Sequence, residues 1–371
     1  MRQIRGSAVL GAGRRPLPPL PQAESRERED KRAEPPSTGY WGRVWSRLRR
    51  DPLALCGGVY LIFVFLMCFV AAPILVHLLG HGPDDAFIRG ANLNRKPVGP
   101  WTHVPIVDNI YGAVPKNADH ALFVLGADGP LGRDELLRLL YGGQVSLEIA
   151  IGATFISVSL GLLLGMTAGY FGSWPDSAIS RVTEFTMAFP VLLLLIAIGT
   201  TISDRFDFVT LHGVFNKGVL SLAVVIGLIT WFYPARIIRA EVLRLREQEF
   251  VESARAVGAG TWWIMRKHLL PHLVAPIVVY STLTLATVIV LEASISFIGL
   301  GIRLPTASWG NMLSTNWGTL LQLGPGQALF IEWTTSHWTT ILPVVAIAST
   351  VLAFAAFGEG LRRALDPRST A

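Results

Sequence analysis

Six long apolar runs dominate this chain, near residues 53–79, 143–171, 179–202, 217–235, 272–299 and 338–358. A hydrocarbon layer about 30 Å thick takes roughly 20 apolar residues of helix to cross, and the runs are of that order. Inside lipid, every backbone N–H and C=O must find its partner within the protein, so a lone spanning segment is helical. The chain is therefore expected to be an all-α polytopic membrane protein with six transmembrane helices. A composition of 51% hydrophobic and only 16% charged residues, with a mean hydropathy of +0.45, excludes an ordinary soluble globule. The third and fourth runs have the least defined ends, because residues 204–217 between them also hold apolar side chains.

Orientation follows from the cations, which are retained on the cytoplasmic side. With the N-terminus inside, 23 of the 32 Lys and Arg residues fall in cytoplasmic segments. Both termini and the segment 236–271 are then cytoplasmic, and 361–371 is a short cytoplasmic C-terminus. Residues 1–39, rich in Pro, Arg and Glu, read as a disordered cytoplasmic tail. In 40–52, Trp41, Val44, Trp45 and Leu48 recur at helical spacing, opposite Arg43, Arg47, Arg49 and Arg50. That pattern fits an amphipathic elbow lying in an anionic headgroup layer. The run at 53–79 is too long and starts too late for a cleavable signal peptide. Residues 80–142 form the longest extracytoplasmic segment, and 143–360 form the core.

Between the fourth and fifth runs lies a compact basic element, Glu252–Pro271. An apolar stretch ends at Gly258, a residue that adopts the left-handed conformation without steric cost. Thr261 is placed to cap a second helix carrying Trp262, Met265 and Leu269 on one face, and Pro271 suits the start of the next span. A short helix, a turn and another short helix are expected to project into water. Charge pattern alone also allows an ordinary basic loop held by lipid charge.

Glu252, Ser253 and Ala254, then Gly258, then Leu270-Pro271, resemble the loop found in permease subunits of ABC importers. Arg255–Gly258 together with His268–Pro271 are most similar to the dipeptide/oligopeptide/nickel branch. Ser253 stands where Ala is common. Further matches occur in order between the right spans. They include Leu125, Gly126, Asp128, Leu131, Gly132, Arg133, Asp134, Arg138, Tyr141, Gly142, Ser146 and Leu147 before the second span, and AGYFGSWPD at 168–176. Pro234, Arg236 and Arg239, the SFIGLG stretch Ser296–Gly301 with Pro305 and Trp309–Leu313, and GEGLRRALDPR at 358–368 complete the set. Gly129-Pro130 carries an extra residue, and Gln144 replaces a common Arg, which argues against a ligand role for that position. The 125–147 stretch is expected to pack the mouth of the pore in preference to touching substrate.

The resemblance implies that Glu252, Ser253, Ala254, Arg255, Ala256, Val257 and Gly258, with Leu270 and Pro271, couple this chain to an ATPase. It implies a homologous permease subunit, two ATPase subunits, an extracytoplasmic substrate-binding protein and a bacterial inner membrane. The cargo implied is di- or oligopeptide, with nickel or another small solute as the alternative. ATP-Mg belongs to the partners, since none of the five lysines follows Gly as a phosphate-binding loop requires, and no cofactor is expected on this chain.

Gly161, Gly165 and Gly169 share one helix face and allow close backbone approach, in this family to a companion subunit. Glu148, Glu184 and Glu292 lie in or near spans, where an acid is costly. Structural hydrogen bonding is the preferred reading, and a proton relay in a secondary transporter is the rival from another class. Cys56 and Cys68 lack metal or disulfide spacing, and His268 with His272 lacks a third ligand, so no metal, catalytic constellation or nucleic-acid partner is expected.

Overall fold

The computed structural model describes residues 40–87, 98–105, 120–129, 131–206, 218–321 and 338–365. The N-terminal tail and most of the longer loops at 203–216 and 315–337 lie outside these residues. Residues from Arg47 onward form one compact unit.

Helix α1 (Tyr40–Leu48) lies within the segment expected to form an amphipathic elbow. Val44 and Leu48 are buried, Arg43, Arg49 and Arg50 are exposed, and Trp45 faces outward instead of joining the apolar face. Helix α2 (Pro52–Leu79) starts where the Asp51 carboxylate accepts from the Ala54 N–H at 3.3 Å, with Pro52 in the first turn. It includes a π-helical turn at Met67–Ala71 and stops at Gly80 in the left-handed conformation.

Two small antiparallel pairs follow, where an all-α chain was expected. Strand β1 (Thr102–Pro105) pairs with β2 (His120–Phe123) in the register Thr102↔Phe123, and β3 (Ala127–Asp128) pairs with β4 (Arg133–Asp134). Phe87, Val104, Ala121, Phe123 and Ala127 give this region its own apolar core, with the Phe87 and Phe123 rings 5.3 Å apart edge to face.

Among the described residues the remaining helices are α3 (Glu135–Phe171), α4 (Ser173–Met187), α5 (Val191–Phe206), α6 (Val219–Thr230), α7 (Phe232–Arg246), α8 (Glu249–Ala256), α9 (Thr261–Phe297), α10 (Trp309–Leu321) and α11 (Trp338–Leu365). Four of the described helices, α2, α3, α9 and α11, are each long and apolar enough to cross a membrane. Six crossings result if the bent pairs α4–α5 and α6–α7 each make one. The expected third span is thus not continuous: the chain turns by 90° before Val191, where Pro190 cannot supply a helical N–H. The α6–α7 bend at Trp231 is gentler, at 43°.

Helix α3 packs along α6 and α7, and α11 packs on α2 and α9. Ile149, Leu195, Ile226 and Ile289, all fully buried, bring α3, α5, α6 and α9 into one core. A second core joins Met166 of α3, Ile238 and Val242 of α7, Val251 and Ala254 of α8, and Ile264, Leu269 and Leu273 of α9. Outward faces keep large apolar residues such as Phe155, Leu163, Leu193 and Leu352 exposed, as a lipid or protein neighbour requires.

Candidate functional site

The element Glu249–Pro271 is built from its turn outward. Helix α8 ends in a Schellman arrangement: the Gly258 N–H donates to Arg255 O at 2.9 Å and the Ala259 N–H to Ala254 O at 3.0 Å. Gly258 has φ +85°, and no atom lies within 4 Å of where its Cβ would sit. Its glycine requirement is therefore conformational rather than steric crowding.

Of the residues singled out here, Ala254 is buried and Leu270 partly so. Glu252, Ser253, Arg255, Ala256, Val257, Gly258 and Pro271 are exposed, Val257 to 85%. One side of α8 is thus rooted in the second core while the other side and the turn face outward.

The return limb differs from expectation. Gly260, not Thr261, caps it, and the limb runs without interruption into the long helix α9 through a π-helical turn at Met265–Leu269. That wider turn directly precedes Pro271 and gives the ring room that a regular turn would deny it. The altered phase buries Ile264, Met265 and Leu269 and leaves Trp262 71% exposed. His268 and His272 both lie beside the Phe250 ring, with centroids 6.0 and 5.1 Å away. No cluster of three metal-ligating side chains occurs among the described residues.

Gly161, Gly165 and Gly169 are buried against α7 of the same chain. A Cβ at each would fall 2.7 Å from Pro234 Cγ, 2.6 Å from Ala235 O and 2.8 Å from Arg239 O. The intimate partner of this seam is thus intramolecular. Beside it lies a half-open cavity of about 330 Å³ lined by Gly165, Ala168, Thr183, Glu184, Arg236 and Arg239, among others. Glu184 is exposed and accepts from Arg181 Nη1 at 3.2 Å, one helical turn away. Asp176 receives the fork of Arg239, Nη2 at 2.8 Å and Nε, joining the start of α4 to α7. Sequence spacing hid that pair, since the partners lie 63 positions apart.

Helix α3 is about 55 Å long, and its other end carries a buried ionic network. Arg138, fully buried, is paired with Asp128 through Nε and with Asp84 at 2.9 Å, and donates to Pro305 O at 3.1 Å. Asp128 also takes Arg133 at 3.3 Å and Asn316 Nδ2 at 2.7 Å. Asp134 caps α3 by accepting from the Leu137 N–H at 3.0 Å and binds His81 Nε2 at 2.9 Å. Burial, followed by the adjacent Arg138 guanidinium, lowers the pKa of Arg133 from its ordinary value, and burial raises the pKa of Asp84 against the pull of Arg138. Five motif residues of the 125–147 stretch, Asp128, Arg133, Asp134, Arg138 and Ser146, thus bind one another and neighbouring segments. His81, Asp84 and Asn316 carried no local sequence signal for this role.

Further along α3, Glu292 of α9 is fully buried and accepts from Ser146 Oγ at 2.9 Å and Ser296 Oγ at 2.7 Å. The Trp309 N–H donates to Ser146 Oγ at 3.3 Å, bringing α10 to the same point. Glu148 accepts from Gln144 Nε2 at 3.0 Å on the same helix.

Long apolar helices, two bent pairs and an outward-facing helical turn rooted between their ends mark a multi-pass membrane component. Residues 161–371 match the family of the binding-protein-dependent transport system inner membrane component, and residues 39–97 match the N-terminal transmembrane domain of oligopeptide transport permease C. The chain belongs to that first family, the permease components of ABC transporters, in which ATP hydrolysis is carried by separate ATPase subunits.

A Brucella ovis protein bearing a provisional peptide-permease name is 33% identical over 93% of this chain and 97% of its own length. The dipeptide transport system permease protein DppC of Bacillus subtilis is 32% identical over 93% of this chain and 91% of its own. The glutathione transport system permease protein GsiD of Shigella dysenteriae is 33% identical over 88% and 90%. An inward-facing crystal structure of the MetNI methionine ABC transporter aligns with 62% of this chain and 96% of its own at 20% identity, with a TM-score of 0.43.

Proposed function

We propose that this chain is one of two permease subunits of an ATP-driven importer in a bacterial inner membrane. It passes di- or oligopeptides delivered by an extracytoplasmic binding protein. Relatives named for peptide, dipeptide and glutathione transport support that cargo class. The bent pairs α4–α5 and α6–α7 each count as one crossing, giving six, with both termini and the Gly258 turn cytoplasmic. Residues 40–52 form the elbow, 80–142 the extracytoplasmic segment and 143–360 the core. Helix α8 with its turn docks on an ATPase subunit, and ATP-Mg binds there, not on this chain.

The observation that carries this reading is the two-sidedness of α8. Val251 and Ala254 lie in the core shared with the ends of α3, α7 and α9, while Val257 and the Gly258 turn stand open. A partner pressing on the turn therefore moves α8 together with the ends of these three helices, the rigid-body coupling that alternating access requires. Glu292, bonded by two hydroxyls, and Glu184, paired on the surface of α4, are assigned structural roles and not proton relay.

Gly258→Val tests the docking assignment. A β-branched residue at φ +85° costs roughly 1–2 kcal/mol and forces the turn to rearrange. The variant is expected to insert and assemble yet import poorly for the ATP it consumes. Gly258→Asn, which tolerates this conformation, is expected to lie close to wild type. Wild-type import per ATP by Gly258→Val refutes the assignment.

A further inference from the structure

We propose that Arg246 and Arg255 are positioning residues that carry movement of the docking helix α8 to the end of α3 and so to the α3–α4 corner. The proposal rests on the docking role given to α8. By chain connection alone, α8 reaches only α7 and α9. Gly169 and Tyr170 of α3 lie 77 and 76 positions before Arg246, yet Arg246 Nη1 donates to their carbonyls at 3.2 and 3.3 Å. These are carbonyls of the last helical turn, which lack intrahelical donors because the chain leaves the helix at Gly172, with φ +62°. A cation there also answers the negative end of the helix dipole.

Arg255 belongs to α8 itself. Its guanidinium lies 5.4 Å from the centroid of the Tyr170 ring, within cation–π range. One α3 residue, Tyr170, is therefore held through its backbone by Arg246 and through its ring by Arg255, on either side of the turn into α8. Just past Gly172, Asp176 in the first turn of α4 is bound by Arg239. Beneath these contacts, Met166 of α3 packs in the same core as Val251 and Ala254 of α8, so displacement of α8 meets packed side chains. The three arginines, from α7 and α8, thus hold a corner that is 63 or more positions away in sequence from the residues binding it.

The test uses the complete transporter in vesicles, with both permease chains, the ATPases and the binding protein. Uptake of a labelled dipeptide and ATP hydrolysis are measured together. Arg255→Ala and Tyr170→Leu are each expected to raise ATP consumed per dipeptide imported several-fold, with the complex still assembled. The double variant is expected to be no worse than either single one, because both remove the same contact. Arg255→Lys, which retains a cation over the ring, is expected to recover much of the coupling.

A wild-type ratio for Arg255→Ala overturns the linkage. So do effects of the two substitutions that add, since Arg255 would then act on the ATPase and not on Tyr170, and so does a parallel fall in uptake and hydrolysis. Gly258→Val in the same vesicles separates the two levels. If it uncouples while the Arg255 and Tyr170 variants do not, only the linkage fails; if it too couples normally, the docking role of α8 fails.

Discussion

Replacing Gly165 by Ala probes the seam that holds α3 to α7. The new Cβ would lie 2.6 Å from the Ala235 carbonyl oxygen and 3.1 Å from Ile238 Cβ. Carbon–oxygen contacts of this kind settle at about 3.3–3.6 Å, so α7 has to withdraw by roughly 0.7 Å. The obstacle is backbone, and no side-chain rotation relieves it. Withdrawal also loosens the contacts at Gly161 and Gly169, where backbone or proline atoms of α7 stand equally close. Between helices in a membrane, packing supplies much of the attraction, and overpacking of this kind costs typically about 1–3 kcal/mol. Thermal unfolding of the solubilised transporter is expected to show that loss for Gly165→Ala and a larger one for Gly165→Leu. Gly152→Ala is the comparison, since its Cβ would meet only the Ala223 methyl group, at 3.2 Å. Stability of Gly165→Ala equal to wild type, or to Gly152→Ala, refutes the steric reasoning.

Arg138→Ala removes a fully buried cation and takes from buried Asp128 one of its two arginines, leaving it Arg133 and Asn316. It is expected to cost about 3–5 kcal/mol, read as lost folded yield and a lowered unfolding temperature. Asp84→Ala removes the half-exposed partner of the same arginine and is expected to cost under about 1 kcal/mol. Deleting residues 1–39 is expected to leave insertion and uptake nearly unchanged, and loss of uptake would show that the tail does more than its composition indicates.

Much of this organisation is legible in the chain because membrane-length apolar runs and charge bias are local signals. The glycine seam could be read as a close-packing face from spacing alone. Its partner could not, since Pro234, Ala235 and Arg239 meet it only through tertiary folding. The turn at Gly258 was legible for the same local reason, glycine after an amphipathic stretch. In the return limb a cap residue and a proline suggest separate pieces, whereas a π-helical turn at Met265–Leu269 joins the limb to the helix that contains Pro271. The 90° break after Met187 falls inside a stretch of membrane length, with Pro190 as its local mark. The ionic network required partners as distant as Asp128 and Asn316, 188 positions apart, and the strand pairs fall in a segment without strong alternation.

The central claim is that this chain moves peptides across a membrane at the expense of ATP hydrolysed elsewhere. Its most direct test compares uptake of labelled di- and oligopeptides and of nickel ion in cells with and without the chain, at normal and depleted ATP. ATP-dependent peptide uptake that vanishes with the chain is the expected result. Loss of nickel uptake alone would reassign the cargo, and uptake that persists on a proton gradient after ATP depletion would contradict the account.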